Sequence, residues 1–185
     1  QALVFTGAMD YWPNIDAVTW FAKDILPGLL ARHPGLKFYI VGRSPSPAVA
    51  ALAGPAVIVT GTVPDVRPYL AHANVVVAPL RLARGIQNKV LEAMAMARPV
   101  ITTPACLEAI QARCGTEILA AADPGEFTAG IDQLLAEPAR AEAIGQAARS
   151  RVLNTYSWSA HLSRLDHHLE GLGASTTQAS GHALA

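Results

Sequence analysis

Short apolar runs alternate with stretches of helical period along most of this chain. Residues 3–7, 37–41, 56–60, 74–78 and 100–103 are runs rich in Val, Ile, Leu and Phe that predict five strands, with a weaker sixth at 117–121. Between the first two, residues 14–32 place Ile15, Val18, Trp20, Phe21, Ile25, Leu29 and Leu30 at helical spacing. Pro27-Gly28 lies inside that stretch and predicts a kink or break there. Shorter helices are expected at 46–52, 66–72, 88–97 and 107–112. After the sixth strand only helical periods follow, at 124–136, 138–152 and 157–169. Asp123-Pro124 and Glu137-Pro138 mark two of these starts, because proline suits a first helical turn. In the last helix Trp158, Leu162, Leu165 and Leu169 recur at helical spacing and predict an apolar face that this domain leaves unburied. Residues 171–185 are rich in Gly, Ala, Ser and Thr without period, and predict a disordered tail.

Apolar strands separated by helices imply an α/β, Rossmann-like fold, a parallel six-stranded sheet with helices on both faces and right-handed crossovers. Residues 1–170 are expected to form this one domain, followed by the tail. Ligands on such sheets bind beyond the carboxyl ends of the strands. That rule selects the loops after Gly7, Gly42, Thr60, Pro79 and Thr103.

Composition narrows the picture. The 185 residues carry 14 basic and 14 acidic side chains, a formal net charge of zero, which argues against a nucleic-acid binder. Half the residues are hydrophobic, yet no run approaches the ~20 that span a bilayer. Gln1 opens almost directly into a strand with neither initiator Met nor leader, so a domain cut from a longer protein is expected. Cys106 and Cys114 have no metal-ligand pattern, and the histidines lack carboxylates or thiols at ligand spacing, so no metal and no cofactor are expected.

The candidate chemistry gathers in residues 81–99. Arg81, Arg84 and Lys89 are three cations uninterrupted by an acid, between a strand end and a helix start. Such a run is either a solvated cluster or, with helix-start N–H groups and Gly85 beside it, an anion site. Glu92 lies one turn after Lys89 in an otherwise apolar helix and needs a partner, which is either Lys89 itself or the hydroxyls of a ribose. Three other loops carry weaker signals. Gly7 permits close backbone approach to a ligand, or opens an ordinary loop capped by Asn14. Arg43 is a phosphate fork or a surface cation. Val63 packs on a base or belongs to a plain turn.

Gly85-Ile86-Gln87-Asn88-Lys89-Val90-Leu91-Glu92-Ala93-Met94-Ala95, followed by Arg98-Pro99-Val100-Ile101, resembles the signature of the family 4-type, retaining glycosyltransferases of the GT-B fold. Val41-Gly42, residues 57–61, Val63-Pro64-Asp65-Val66 and Tyr156-Ser157-Trp158 extend the resemblance over about residues 2–168. In detail the chain is similar to bacterial sugar transferases of exopolysaccharide and PEP-CTERM systems. The resemblance implies the C-terminal half of a two-domain hexosyltransferase, inactive alone, whose N-terminal acceptor domain is absent from this chain. It implies a nucleotide-sugar donor, and a glycan or lipid-linked acceptor held by that other domain. It also implies a cytoplasmic enzyme, the full protein peripheral to the inner face of the plasma membrane. Glu92 would hold the ribose, and Arg81, Arg84 or Lys89 the diphosphate, at a mouth between the first, fourth and fifth strands. Two departures stand out. The family often has an acid eight positions before Glu92, where this chain has Arg84, and it often has an Arg and a Lys after the first strand, where residues 7–14 have neither. The alternatives are a nucleotide-sugar epimerase on the same fold and a non-catalytic α/β binding module.

Overall fold

A computed structural model describes residues 1–157. Six strands form one sheet: β1 (Ala2–Thr6), β2 (Lys37–Val41), β3 (Val57–Gly61), β4 (Val75–Ala78), β5 (Val100–Thr102) and β6 (Leu119–Ala120). Their order is β3-β2-β1-β4-β5-β6 and every pairing is parallel. Chain order reverses direction beside β1, so β1 and β4 flank the switch point where such sheets open a crevice. Helices cover both faces. The Rossmann-like α/β fold expected from the alternation is the fold observed.

The central strands are buried on both sides and read as continuous apolar runs for that reason. Leu3, Val4 and Phe5 of β1 and all of β4 are buried. Phe21 stacks at a tilt on Phe38 of β2, with centroids 4.7 Å apart, and meets Phe127 edge-on at 6.5 Å. Phe127 belongs to α7 (Pro124–Ala136), which also packs on β4 and β5. On α8 (Pro138–Tyr156), Gly145 passes close to the turn after α5 (Asn88–Ala95). A Cβ on Gly145 would stand 2.2 Å from the Ala97 carbonyl oxygen, so only glycine lets α8 seat there.

Several boundaries differ from the sequence reading; α8, for one, runs on to Tyr156, four residues past the expected 152. The first helical stretch does not break at Pro27-Gly28. It runs as α1 (Trp12–Trp20), a π-helical turn (Phe21–Ile25) and α2 (Leu26–Arg32). Pro27 has no N–H to give to the turn before it, and its ring crowds the carbonyl four residues back. The widened turn upstream absorbs that conflict, and Pro27 falls in the first turn of α2. The fifth strand stops at Thr102, because Pro104 starts α6 (Pro104–Ile110) with its φ already set, three residues before the expected 107. The helix expected at 88–97 ends at Ala95, with Ala97 in the left-handed region at φ 54°. The short helices α3 (Pro47–Ala50) and α4 (Arg67–His72) lie within the expected segments. The helix expected at 157–169, with Trp158, Leu162, Leu165 and Leu169, and the tail 171–185 lie outside the described residues but for Ser157.

Candidate functional site

A cleft of about 470 Å³ opens over the carboxyl ends of β1, β2 and β3. Thr6, Gly7 and Ala8 come from the end of β1 and its loop, and Val41, Gly42 and Arg43 from β2 and its loop. Thr62, Val63 and Val66 follow β3, and α5 closes the side with Lys89 and Glu92. The expected mouth lay between the first, fourth and fifth strands; this cleft shares β1 with it and opens over β2 and β3, with α5, which follows β4, closing its side. The end of β5 is occupied by its own bonds, since Thr102 and Thr103 donate their hydroxyls to the carbonyls of Ala78 and Leu80, both at 2.8 Å.

Backbone alone shapes the inner rim. The Gly7 amide donates to the Val41 carbonyl at 3.0 Å, the Met9 amide to the Arg43 carbonyl at 2.8 Å, and the Ser46 amide to the Met9 carbonyl at 3.1 Å. The two loops lie so close that a Cβ on Gly42 would fall 1.7 Å from the Gly7 carbonyl oxygen. Such an approach requires glycine.

Lys89 is the electrostatic centre of the cleft. Its ammonium lies 4.6 Å from the centroid of the Phe5 ring and donates to Asn14 Oδ1. Asn14 is only 4% exposed, and its Nδ2 donates to the Ala8 carbonyl at 2.8 Å. Burial of the ammonium lowers the Lys89 pKa from 10.5 to about 8, against smaller upward pulls from Cys106 and Glu92. An opposite charge entering the cleft would relieve this desolvation. The Asn14 cap suggested by sequence is not formed. Asn14 lies inside the first turn of α1, whose cap residue Tyr11 makes no side-chain bond. The signal was present in the sequence: Asn14 shares a helical face with Ala17 and Val18, both fully buried, and a polar side chain on such a face needs a partner.

Glu92 stands one turn on from Lys89, on the exposed side of a helix that buries Val90, Ala93 and Met94. The ion pair with Lys89 that sequence left open does not form. Among the described residues the Glu92 carboxylate has neither hydrogen bond nor salt bridge, so it is free to accept from a ligand. α5 opens at Gln87 without a side-chain cap and with no acid in its first turn.

Of the other sequence candidates, Gly7, Arg43 and Val63 line the cleft with Lys89 and Glu92. Arg81 does not. Its guanidinium forks onto the Asp16 carboxylate, with Nε 3.0 Å from Oδ2, and its carbon lies 5.0 Å from the Trp20 ring centroid. Arg84 and Gly85 are exposed in the loop before α5, where the Gln87 side-chain amide donates to both carbonyls at 3.2 and 3.3 Å. Thr6 is a lining residue that sequence reasoning missed. It is 3% exposed, and its hydroxyl has no partner among the described residues. Nothing in a strand ending Phe-Thr-Gly distinguishes it from a buried structural threonine. Among the described residues no three His, Cys, Asp or Glu side chains gather as a metal site, and no helix is long and apolar enough to cross a membrane.

Comparison with solved structures bears out the fold. A mutant of S. aureus TarM, in complex with fondaparinux, alpha-GlcNAc-glycerol and UDP, superposes with a TM-score of 0.76 at 18% identity, covering 90% of this chain and 34% of that one. Anabaena HepE, in complex with UDP and glucose, gives 0.71 at 14% identity over 91% of this chain and 48% of that one. The C-terminal domain of a glycosyl transferase group 1 family protein from Francisella tularensis gives 0.64 at 16% identity over 85% and 86%. The chain thus spans between about a third and a half of the first structures it matches. These likenesses show that the sheet and its helices share the Rossmann-like fold seen in GT-B proteins. No curated protein matches by sequence. The model of the family described as "Glycosyl transferases group 1" matches residues 1–137, most of the chain, and the chain belongs to that family.

Proposed function

We propose that the cleft binds the nucleoside diphosphate of a sugar donor, and that the chain is the donor half of a retaining, family 4-type hexosyltransferase. The observation that carries this reading is the unpaired Glu92 carboxylate one turn from the buried Lys89 ammonium, at the carboxyl ends of the strands. A cation for phosphates beside an acceptor for hydroxyls is the chemistry a ribose diphosphate demands. UDP in two of the similar structures makes uridine diphosphate the first ligand to try.

In this reading Lys89 meets the diphosphate and Glu92 accepts from the ribose hydroxyls, while Val63 and Val66 offer an apolar wall to the base. The glycosyl carbon–oxygen bond breaks with its electrons going to the diphosphate. The ammonium stabilises that growing charge in a site already arranged for it. Positioning does the rest, and the acceptor is held by a part of the enzyme outside this chain. The charge is met by the protein's own cation, with no metal required. Sugar transfer in bacterial exopolysaccharide or glycoconjugate assembly, at the cytoplasmic face of the membrane, is the setting we propose. The chain alone then binds donor without transferring sugar.

Calorimetry with UDP and inorganic pyrophosphate tests the assignment. Glu92→Gln should weaken UDP by roughly ten- to a hundredfold and leave pyrophosphate nearly unchanged, because pyrophosphate has no ribose. Lys89→Ala should weaken both. If Glu92→Gln weakens the two ligands equally, the ribose assignment is wrong. If the unmodified protein binds neither ligand, the donor reading fails.

A further inference from the structure

The proposed ligand brings two negative phosphates to a cleft whose β1–α1 loop holds no cation, and Arg81, one of the expected helpers, is committed to Asp16. Two further polar residues line the same cleft, Thr6, which sequence reasoning missed, and Asn14, which it read as a cap. The Thr6 hydroxyl is buried without a partner among the described residues, and an unmet buried donor costs about as much as a lost hydrogen bond. The Asn14 carboxamide spans the gap between the Ala8 carbonyl and the Lys89 ammonium, so α1 fixes where a cation carried by α5 ends up. Gly7, next to Thr6 in the chain, leaves the space that Asn14 and Lys89 share: a Cβ there would stand 2.7 Å from Asn14 Nδ2 and 3.1 Å from Lys89 Nζ.

We infer that Thr6, Asn14 and Lys89 form one phosphate seat, in which the Thr6 hydroxyl donates to a phosphate oxygen and Asn14 is the positioning residue that holds Lys89 over it. The inference rests on the donor reading above and names the residues that read the diphosphate. The seat replaces loop cations with one helix cation borrowed across the switch point. The neutral carboxamide matters as much as its place. An amide orients the ammonium and leaves its charge for the ligand, whereas a carboxylate there would cancel it.

Two substitutions test the seat, each against UDP and pyrophosphate. Thr6→Val keeps the shape and removes the unmet donor, so the denaturation midpoint should hold or rise while both ligands weaken about tenfold. A purely structural Thr6 would give the opposite pattern, lost stability with unchanged binding. Asn14→Asp should weaken both ligands severely at pH 7 without unfolding the protein. It should also raise the Lys89 pKa from about 8, so the loss of UDP affinity with rising pH moves to higher pH than in the unmodified protein. The other charged groups facing Lys89, Glu92 on α5 and Cys106 on α6, and Arg43 across the cleft, are common to both proteins and cancel in that difference. Unchanged affinity in Thr6→Val, or an unshifted pH profile in Asn14→Asp, overturns the seat while Glu92→Gln can still uphold the donor reading. Failure of the unmodified protein to bind pyrophosphate and UDP overturns both.

Discussion

Replacing Lys89 with methionine should cost the protein its ligand and none of its fold. The side chain keeps an unbranched apolar stem, one atom shorter, and loses its charge. A depression of the Lys89 pKa from 10.5 to about 8 corresponds to about 3 kcal/mol of folded-state destabilisation at pH 7, at ~1.4 kcal/mol per unit. Against that gain, the variant leaves Asn14 Oδ1 without its donor, a loss of ~1–3 kcal/mol. The net change at pH 7 should therefore lie between nothing and about 2 kcal/mol of added stability. The pH dependence is sharper than the net. Between 8 and 10.5 the unfolded chain holds a proton on Lys89 that the folded protein has released, so wild-type stability rises with pH across this window. From pH 7 to 9.5 the wild type should gain about 2 kcal/mol on Lys89→Met, with other titrations cancelling in the difference. Urea denaturation of both proteins at several pH values measures it. Parallel stability curves would refute the reasoning, because Lys89 would then bear no desolvation cost. A pyrophosphate affinity in Lys89→Met equal to wild type would separately show that the strained charge serves no ligand. A charge kept at such cost is expected where function requires it.

Two more predictions follow from the same geometry. Gly42→Ala should cost about 3 kcal/mol, because its Cβ must part the two loops from a starting distance of 1.7 Å; Gly54→Ala, with open space around it, is the control and should hold or gain about 0.5 kcal/mol in the same denaturation experiment. Arg81→Ala should lose about 1 kcal/mol of stability with its Asp16 and Trp20 contacts, yet change pyrophosphate affinity by less than about threefold; a larger loss on calorimetry would return Arg81 to the phosphate site.

The parallel sheet was legible in the sequence because its central strands are buried on both faces, so β1 and β4 show as nearly uninterrupted apolar runs. Helix ends were legible where proline set them, as at Pro124 and Pro138, whose helices begin where the sequence placed them. The π-helical turn was not legible: Pro27 announces a conflict but not where along the helix it will be absorbed. In the site, Lys89 and Glu92 were visible because charge on an apolar helix is conspicuous. Arg81 was read as a ligand-facing cation, and its pairing with Asp16 was not legible because the two are distant in sequence and adjacent only after α1 packs beside the β4 loop. Thr6 stayed hidden for a related reason, and Asn14, whose buried face was readable, was taken for a cap. A buried polar side chain looks ordinary until the fold reveals whether anything answers it.

The rim between the first two loops is held by main-chain bonds and two glycines, with the Met9 side chain buried beneath it. Its shape thus makes no demand on the exposed Arg43 side chain. Arg43 projects from a frame that does not need it, so the residue lining the cleft there can be exchanged without remaking the cleft. Selectivity and architecture are separately adjustable at this edge. A set of variants at position 43 could explore different donors on an unaltered scaffold, whereas the same search at Gly7 or Gly42 would lose the scaffold first.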